Sequence, residues 1–114
     1  MARIAIYGKR VPDEAQPFVE RTLASLREEG CAVTIYRGFQ NRLNESWNLG
    51  LDLPEYTSAE SLHALNPDFL LVIGGDGTLL DATSQVGRSG IPLIGLNTGR
   101  LGFLANITRD EAPT

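Results

Sequence analysis

A glycine-rich turn with an acid at its centre is the stretch of the sequence best suited to chemistry. The apolar residues 69–73 run into Gly-Gly-Asp-Gly-Thr at residues 74–78, and a second apolar segment follows at once. This order predicts a strand, a sharp turn and a helix start, which is how many α/β proteins build a phosphate site. Glycines let a ligand approach the backbone, and the free N–H groups of a helix start attract an anion.

The acid in this turn, Asp76, narrows the chemistry. A carboxylate 4 Å from a phosphate is repelled by about 4 kcal/mol at an effective dielectric of 20, so Asp76 must face something else. It could hold Mg²⁺ that bridges phosphates, or it could accept the proton of a hydroxyl that attacks phosphorus. Both roles predict a kinase. Thr78 either bonds a phosphate oxygen or caps its own helix.

Two better-known phosphate loops do not fit this turn. The sequence contains no G-x-x-x-x-G-K-[ST] motif, and Leu80 stands where the third glycine of G-x-G-x-x-G would be. The turn is therefore neither a P-loop nor a dinucleotide fingerprint.

The first half of the chain reads as a β-α-β unit. Residues 4–8 and 31–36 are β-prone runs, and the length between them suits a parallel crossover. A helix is expected from Asp13, paired with Gln16 as an N-cap, to a stop at Gly30. Lys9 and Arg10 follow the first strand, where the first βα loop should open.

Further elements complete an alternating pattern. Residues 38–53, rich in asparagine, indicate a loop or a broken helix, and residues 57–60 read as a capping box that opens a short helix to about Asn66. After the glycine turn, residues 79–86 favour a helix that ends at Gly87 or Gly90. Residues 91–96 favour a fourth strand with Pro92 at its first position.

Two segments should meet at one edge of the sheet. The glycine turn and residues 97–104 (Asn-Thr-Gly-Arg-Leu-Gly-Phe-Leu) each follow a strand. Ligands of open α/β sheets bind outside the carboxyl ends of strands, so these two segments predict one site. Residues 108–111 read as a third capping box, which predicts the start of another helix, yet only three residues follow them. We therefore expect a fragment of a longer protein.

Composition restricts the class of protein. The 114 residues suffice for one domain, and the net charge of -4 with no Lys/Arg cluster argues against a nucleic-acid partner. No apolar run is long enough to cross a bilayer, so no membrane partner is expected. The single cysteine, Cys31, cannot form an internal disulfide, which suits the cytoplasm. Trp47 is expected to pack on a neighbour rather than mark a site, and His63 is expected to be solvated or packed rather than a ligand or base.

The two segments together closely resemble bacterial NAD kinases. The Gly-Gly-Asp-Gly-Thr motif is shared with diacylglycerol and sphingosine kinases, and a relative of it occurs in phosphofructokinases; residues 97–104 are what single out NAD kinases. The resemblance implies a Rossmann-like, three-layer α/β domain with a mainly parallel sheet. It also implies phosphorylation of NAD at the 2′-hydroxyl of the adenosine ribose, with ATP or polyphosphate as donor and a divalent cation such as Mg²⁺.

The resemblance assigns roles to particular residues. Asp76 would be the catalytic acid that accepts the hydroxyl proton, and it could also hold Mg²⁺. NAD would be contacted by Asp76, Gly77, Leu80 and Phe103. The ATP phosphates would be contacted by Gly74, Gly75 and Thr78, and also by Lys9, Arg10 and Arg100. Asp81 stands where some members carry a basic residue that binds the dinucleotide, which puts that contact in doubt.

The resemblance also describes the rest of the protein. Residues 1–114 would be the N-terminal nucleotide-binding domain, and an all-β domain that completes the NAD pocket would be absent from this chain. The fragment alone should then be inactive, and the full-length enzyme should be a homo-oligomer. Two alternatives stay open: a lobe of a lipid kinase, which should carry a Gly-Thr-Gly-Asn-Asp-type segment after the fourth strand, and a non-catalytic nucleotide-binding module.

Overall fold

Strands and helices alternate through most of the chain. The computed structural model describes residues 2–97 and 105–107. The strands in this part are β1 (Arg3–Gly8), β2 (Ala32–Tyr36), β3 (Glu55–Tyr56), β4 (Phe69–Gly74), β5 (Leu93–Asn97) and β6 (Ala105–Ile107). The helices are α1 (Gln16–Glu28), preceded by a 3-10 turn at Asp13–Ala15, α2 (Arg37–Trp47), α3 (Ala59–Leu65) and α4 (Asp76–Val86).

The strands form one sheet in the order β3-β2-β1-β4-β5-β6. The first five are mutually parallel, and β6 pairs antiparallel with β5. The chain builds the sheet outward from β1 in one direction and then crosses over to β4, so the order reverses between β1 and β4. The expected α/β class with a mainly parallel sheet is confirmed. The strands β3 and β6 were not predicted.

Both faces of the sheet are buried, which explains why its central strands are almost continuously apolar. In β1, Ile4 and Ile6 pack against α1 and α2, in a core that includes Val19 and Phe39. The intervening residues face the other way, into a core formed with α3 and α4. This alternation gives the three layers, helix, sheet and helix, that were expected.

Helix α1 ends as predicted and begins differently. Gly30 has φ +75°, and the N–H groups of Gly30 and Cys31 bond the carbonyls of Arg27 and Leu26, which makes a Schellman end. The predicted cap by Asp13 and Gln16 is wrong. The Asp13 carboxylate instead accepts a hydrogen bond from Trp47 Nε1 at 3.0 Å. A tertiary contact with α2 thus replaces the predicted cap.

The segment 38–53, interpreted as a loop or broken helix, is a continuous helix, α2, as far as Trp47, so the prediction is wrong for residues 38–47. Residues 48–53 form a loop, as predicted. Phe39 and Leu43 are buried one turn apart, and burial of this stripe outweighs the weak helix propensity of glycine and asparagine. Two of the asparagines stabilise the end of the helix and the loop that follows it. Asn48 takes the left-handed conformation, and the Asn44 side chain both donates to and accepts from the backbone of Leu51.

Three other boundaries differ from the predictions. The capping box of α3 is formed by Ser58 and Ser61, one residue later than predicted. Helix α4 starts at Asp76, so the glycine turn is already its first turn. Strand β5 starts at Leu93, and Pro92 lies just before it, where its carbonyl accepts from the Leu70 N–H. The predicted capping box at residues 108–111 lies outside the described residues.

Three tyrosines cross the sheet at the end where its strands finish. The rings of Tyr7 and Tyr36 are 5.1 Å apart, and those of Tyr36 and Tyr56 are 5.5 Å apart. Tyr56 is 2% exposed, and its hydroxyl has no hydrogen-bond partner among the described residues. Burial, followed by the neighbouring tyrosines, raises the pKa of Tyr56 far above its usual value.

This burial predicts a loss of stability in alkali. Above pH 10 the unfolded chain releases the Tyr56 proton and the folded chain keeps it, so the free energy of unfolding falls by up to about 1.4 kcal/mol per pH unit from this group. Tyr56→Phe should remove that part of the slope. At pH 8 the same substitution should stabilise the protein by about 1 kcal/mol or more, because a buried hydroxyl without a partner costs free energy that phenylalanine avoids. Urea unfolding between pH 8 and 11.5 measures both; identical slopes in the two proteins would contradict the assignment.

Candidate active site

The turn between β4 and α4 depends on the absence of a side chain at Gly74. Its φ is +153°, and a Cβ there would lie 2.9 Å from Thr78 Oγ1 and 3.0 Å from Thr78 Cβ. Only glycine lets the strand end pass directly beneath the first turn of the helix. Helix α4 therefore begins immediately at the carboxyl edge of the sheet.

The start of α4 presents backbone donors rather than a side-chain cap. Gly75 is the N-cap residue, Asp76 is the first helical residue, and no side chain caps the helix within the described part of the chain. The first helical bond of this turn runs from the Leu79 N–H to the Gly75 carbonyl at 3.1 Å. The preceding N–H groups have no partner inside a helix, so they can bind an anion.

This helix start lies beside the end of β1, at the point where the strand order reverses. Gly8 pairs in register with Ile73, which places Lys9 next to the end of β4. Ligands of doubly wound sheets bind in the crevice at this switch point. The predicted site residues from the two halves of the chain therefore meet.

A cationic cleft opens at this junction. It has a volume of about 540 Å³ and is lined by Lys9, Arg10, Arg42, Gly77, Thr78 and Asp81. Three positive side chains and one carboxylate surround two residues of the α4 start, so the cleft carries a net positive charge. This charge and the adjoining N–H groups suit a phosphate chain.

Arg42 is the residue of this cleft that sequence reasoning missed. It lies on α2, in the segment interpreted as a loop or a broken helix. Phe39, one turn earlier, packs under the end of β1, where a Cβ on Gly8 would lie 2.6 Å from its ring. This packing draws the face of α2 that carries Arg42 toward the cleft. The signal available was the spacing of Phe39 and Leu43, which marks an amphipathic helix.

A second hollow lies on the other side of the α4 start. This strand-end hollow, between the ends of β4 and β5, has a volume of about 70 Å³, and its lining includes Gly74, Gly75, Asp76, Gly95 and Asn97. Gly74 and Asn97 are partners in the strand register. Asn97, the first residue of the second motif, thus meets the glycine turn as predicted. Residues 98–104, which include Arg100 and Phe103, lie outside the described residues.

The comparisons with known proteins agree with this geometry. Residues 4–114 match a family model described as the ATP-NAD kinase N-terminal domain. The chain is 34% identical over 112 residues to an NAD kinase of Flavobacterium psychrophilum, covering 98% of this chain and 38% of that protein. It is 37% identical over 111 residues to an NAD kinase of Flavobacterium johnsoniae (96% and 37%) and 35% identical over 109 residues to one of Aromatoleum aromaticum (96% and 34%).

The chain belongs to the ATP-NAD kinase family. The chain spans little more than a third of the length of these curated relatives. The resemblance seen in the two motifs is confirmed, and the family match favours an NAD kinase over a lipid kinase lobe or a non-catalytic module.

The structure also places the remaining residues that the sequence singled out. Leu80 is 70% exposed and lines neither hollow. The Asp81 carboxylate, whose dinucleotide contact was in doubt, forms an ion pair with Lys9 at 2.5 Å. This hydrogen bond, and then the charge of Asp81, raises the pKa of Lys9. His63 joins α3 to α4 through the carbonyl of Gln85 at 2.8 Å, which agrees with its expected structural role.

No helix among residues 2–97 is long and apolar enough to span a membrane. In the same part of the chain, no three side chains of the acid, histidine or cysteine types converge into a metal site.

The close contact at the turn predicts that Gly74→Ala destabilises the protein by about 2–4 kcal/mol. An alanine would combine an unfavourable backbone conformation with a clash against Thr78. Gly30→Ala is the matched control. Its φ is also positive, but no atom lies within 4 Å of the added Cβ, so about 1 kcal/mol is expected. Urea unfolding compares the two, and equal losses would contradict the role of the Thr78 contact.

Proposed function

We propose that this chain is the nucleotide-binding domain of an enzyme that phosphorylates NAD at the 2′-hydroxyl of its adenosine ribose, with ATP as the donor. The observation that carries the proposal is the position of Asp76. It lines the strand-end hollow, and the next two residues, Gly77 and Thr78, line the cationic cleft. One helical turn thus separates a site for an acceptor hydroxyl from a site for phosphates.

The cationic cleft is the proposed phosphate site. Gly74 and Gly75 bring the backbone close, and the N–H groups at the start of α4 bind the phosphoryl oxygens. Thr78 contributes its hydroxyl, and Lys9, Arg10 and Arg42 supply positive charge. Phosphoryl transfer needs little covalent chemistry from the protein, so positioning and charge neutralisation are the functions this cleft must supply. Polyphosphate has the same charge pattern as the ATP tail and could use the same cleft.

Asp76 is the proposed proton acceptor. The 2′-hydroxyl oxygen of NAD attacks the γ-phosphorus of ATP and its proton passes to the Asp76 carboxylate. The bond from the γ-phosphorus to its bridging oxygen breaks, and ADP leaves. The carboxylate is exposed at the first residue of α4, which supports direct access to a substrate hydroxyl.

The dinucleotide is proposed to lie over the strand-end hollow and the exposed surface of α4. Gly77 permits close approach, and Leu80 offers an apolar side chain to the adenine; its 70% exposure supports this contact. Phe103 and Arg100 keep their proposed contacts with the adenine side and with a phosphate or ribose.

The residues of the site fit a magnesium ion that arrives with ATP. Mg²⁺ is commonly held by one or two carboxylates together with substrate phosphates rather than by an all-protein cage. The described residues offer Asp76 without a converging group of three ligands, which agrees with that mode. The ion would neutralise phosphate charge.

We further propose that a separate all-β domain completes the NAD pocket, and that the full-length enzyme is a homo-oligomer. The strand-end hollow, about 70 Å³, is much smaller than the several hundred Å³ of a typical ligand pocket. The relatives are also far longer than this chain. The cytoplasm is the proposed location, because it supplies ATP and NAD and keeps a thiol such as Cys31 reduced.

The role of Asp76 predicts that Asp76→Asn in the full-length protein lowers NADP formation by at least about a hundredfold, the usual contribution of a positioned proton acceptor. Asp52→Asn is the matched control, since Asp52 is an exposed acid in the segment that leads into β3. In the sheet, β2 and β1 separate β3 from β4. Asp52→Asn should retain full activity. The measurement is the rate of NADP formation, with thermal unfolding to confirm that both variants fold. A loss below tenfold for Asp76→Asn would exclude the role.

The incomplete NAD pocket predicts that the isolated 114 residues form NADP at less than about a hundredth of the full-length rate, because the acceptor is not held against the phosphate. Purified chain and full-length protein are compared at equal ATP and NAD concentrations. A similar rate from both would show that the pocket is complete within this chain.

A further inference from the structure

The ion pair between Lys9 and Asp81 crosses the cationic cleft, joining the loop after β1 to the second turn of α4. The Nζ and carboxylate oxygen are 2.5 Å apart, and the two side chains are 54% and 46% exposed. A pair this exposed contributes little to folding stability. Because the pair lines the cleft, we looked to ligand binding rather than to folding stability for its role.

The chemistry of lysine explains what the pair can do. An ammonium group carries three N–H donors on a flexible four-carbon stem, and without a partner it is strongly hydrated and mobile. One donor of Lys9 bonds Asp81, which leaves two donors for another acceptor. Gly77 and Thr78, at the start of α4, line the same cleft, so an anion held by their N–H groups is the acceptor available to them.

The other two cations of the cleft differ from Lys9 in having no carboxylate partner. Within the described residues, neither Arg10 nor Arg42 forms an ion pair. Their guanidinium groups are planar forks that need less orientation to bind a phosphate. Lys9 is the flexible member of the three, and it is the one that a carboxylate holds.

We infer that Asp81 is a positioning residue that holds the Lys9 ammonium over the start of α4, so that Lys9 binds a phosphate while it keeps its bond to Asp81. The inference rests on the proposed phosphate site and names how one of its cations is placed. It differs from competition, in which Asp81 would occupy Lys9 and reduce its attraction for phosphate. If Asp81 positions Lys9, neutralising Asp81 should reduce the contribution of Lys9 to phosphate binding. If Asp81 competes with phosphate, neutralising it should increase that contribution.

The test is a double-mutant cycle on the binding of inorganic tripolyphosphate to the full-length protein, measured by calorimetry. Lys9→Met should weaken binding about fivefold to tenfold, the loss of one exposed charge-assisted hydrogen bond. In a protein that also carries Asp81→Asn, the same Lys9→Met change should weaken binding by no more than about twofold. Asp81→Glu keeps the carboxylate and should retain most of the Lys9 effect.

Arg42→Met is the matched control for this cycle. Because Arg42 lines the cleft without an ion pair to Asp81, its effect on tripolyphosphate binding should be similar with and without Asp81→Asn. A Lys9 effect that stays the same or grows after Asp81→Asn would overturn the inference, since it would indicate independence or competition. Thermal unfolding of each variant confirms that the binding values come from folded protein.

Activity gives an independent measurement. If the full-length protein forms NADP, the cycle on kcat should repeat the pattern, with Asp81→Asn lowering kcat several-fold alone and having no effect in the Lys9→Met protein. If the unsubstituted protein forms no NADP, the proposed function fails, and the tripolyphosphate cycle still decides whether Asp81 positions Lys9. An additive loss of kcat in the double variant would overturn the inference.

Discussion

The close passage of β4 beneath the first turn of α4 is the constraint on which the rest of the site depends. A Cβ at Gly74 would lie about 3 Å from the Thr78 side chain, so the helix can start at the sheet edge only if residue 74 is glycine. Because the helix starts there, the residues of its first turn line the hollows at the carboxyl edge of the sheet. The second glycine, Gly75, serves as the N-cap residue and leaves this approach open.

The same turn divides the site in two. Asp76 faces the hollow between β4 and β5, and its successors face the cationic cleft beside β1. A carboxylate next to a phosphate site is electrostatically unfavourable unless the two face different ways, and the helical rotation of successive residues achieves this separation. An acid and the free N–H groups of a helix start can therefore be neighbours in sequence, each with its own surroundings.

The cations of the cleft depend on packing far from the turn. Phe39 lies under the end of β1, where Gly8 has no side chain to exclude it, and this contact brings α2 and Arg42 to the cleft. Gln40, 4% exposed, bonds the Leu53 backbone and the Glu55 carboxylate, which ties α2 to the strand β3 that follows it. A region with little obvious order in the sequence is thus held by buried apolar contacts and by amide side chains bonded to backbone.

The sequence alone correctly predicts the strand, glycine turn and helix around Asp76, the α/β class and the contact of Asn97 with that turn. These features follow from local patterns: apolar runs of strand length, glycines at a sharp turn, and the rule that parallel strands end at one edge. Local patterns failed at Asp13 and Ser58, where more than one residue could serve as a cap, and over α2, where burial of Phe39 and Leu43 outweighed propensity. Three features could be seen only in the folded chain: Arg42 joins the cleft, Asp81 pairs with Lys9, and Asp76 and Gly77 line different hollows. Each of these depends on contacts between residues far apart in the chain or on the rotation of a helix start against the sheet, and neither is encoded in local spacing.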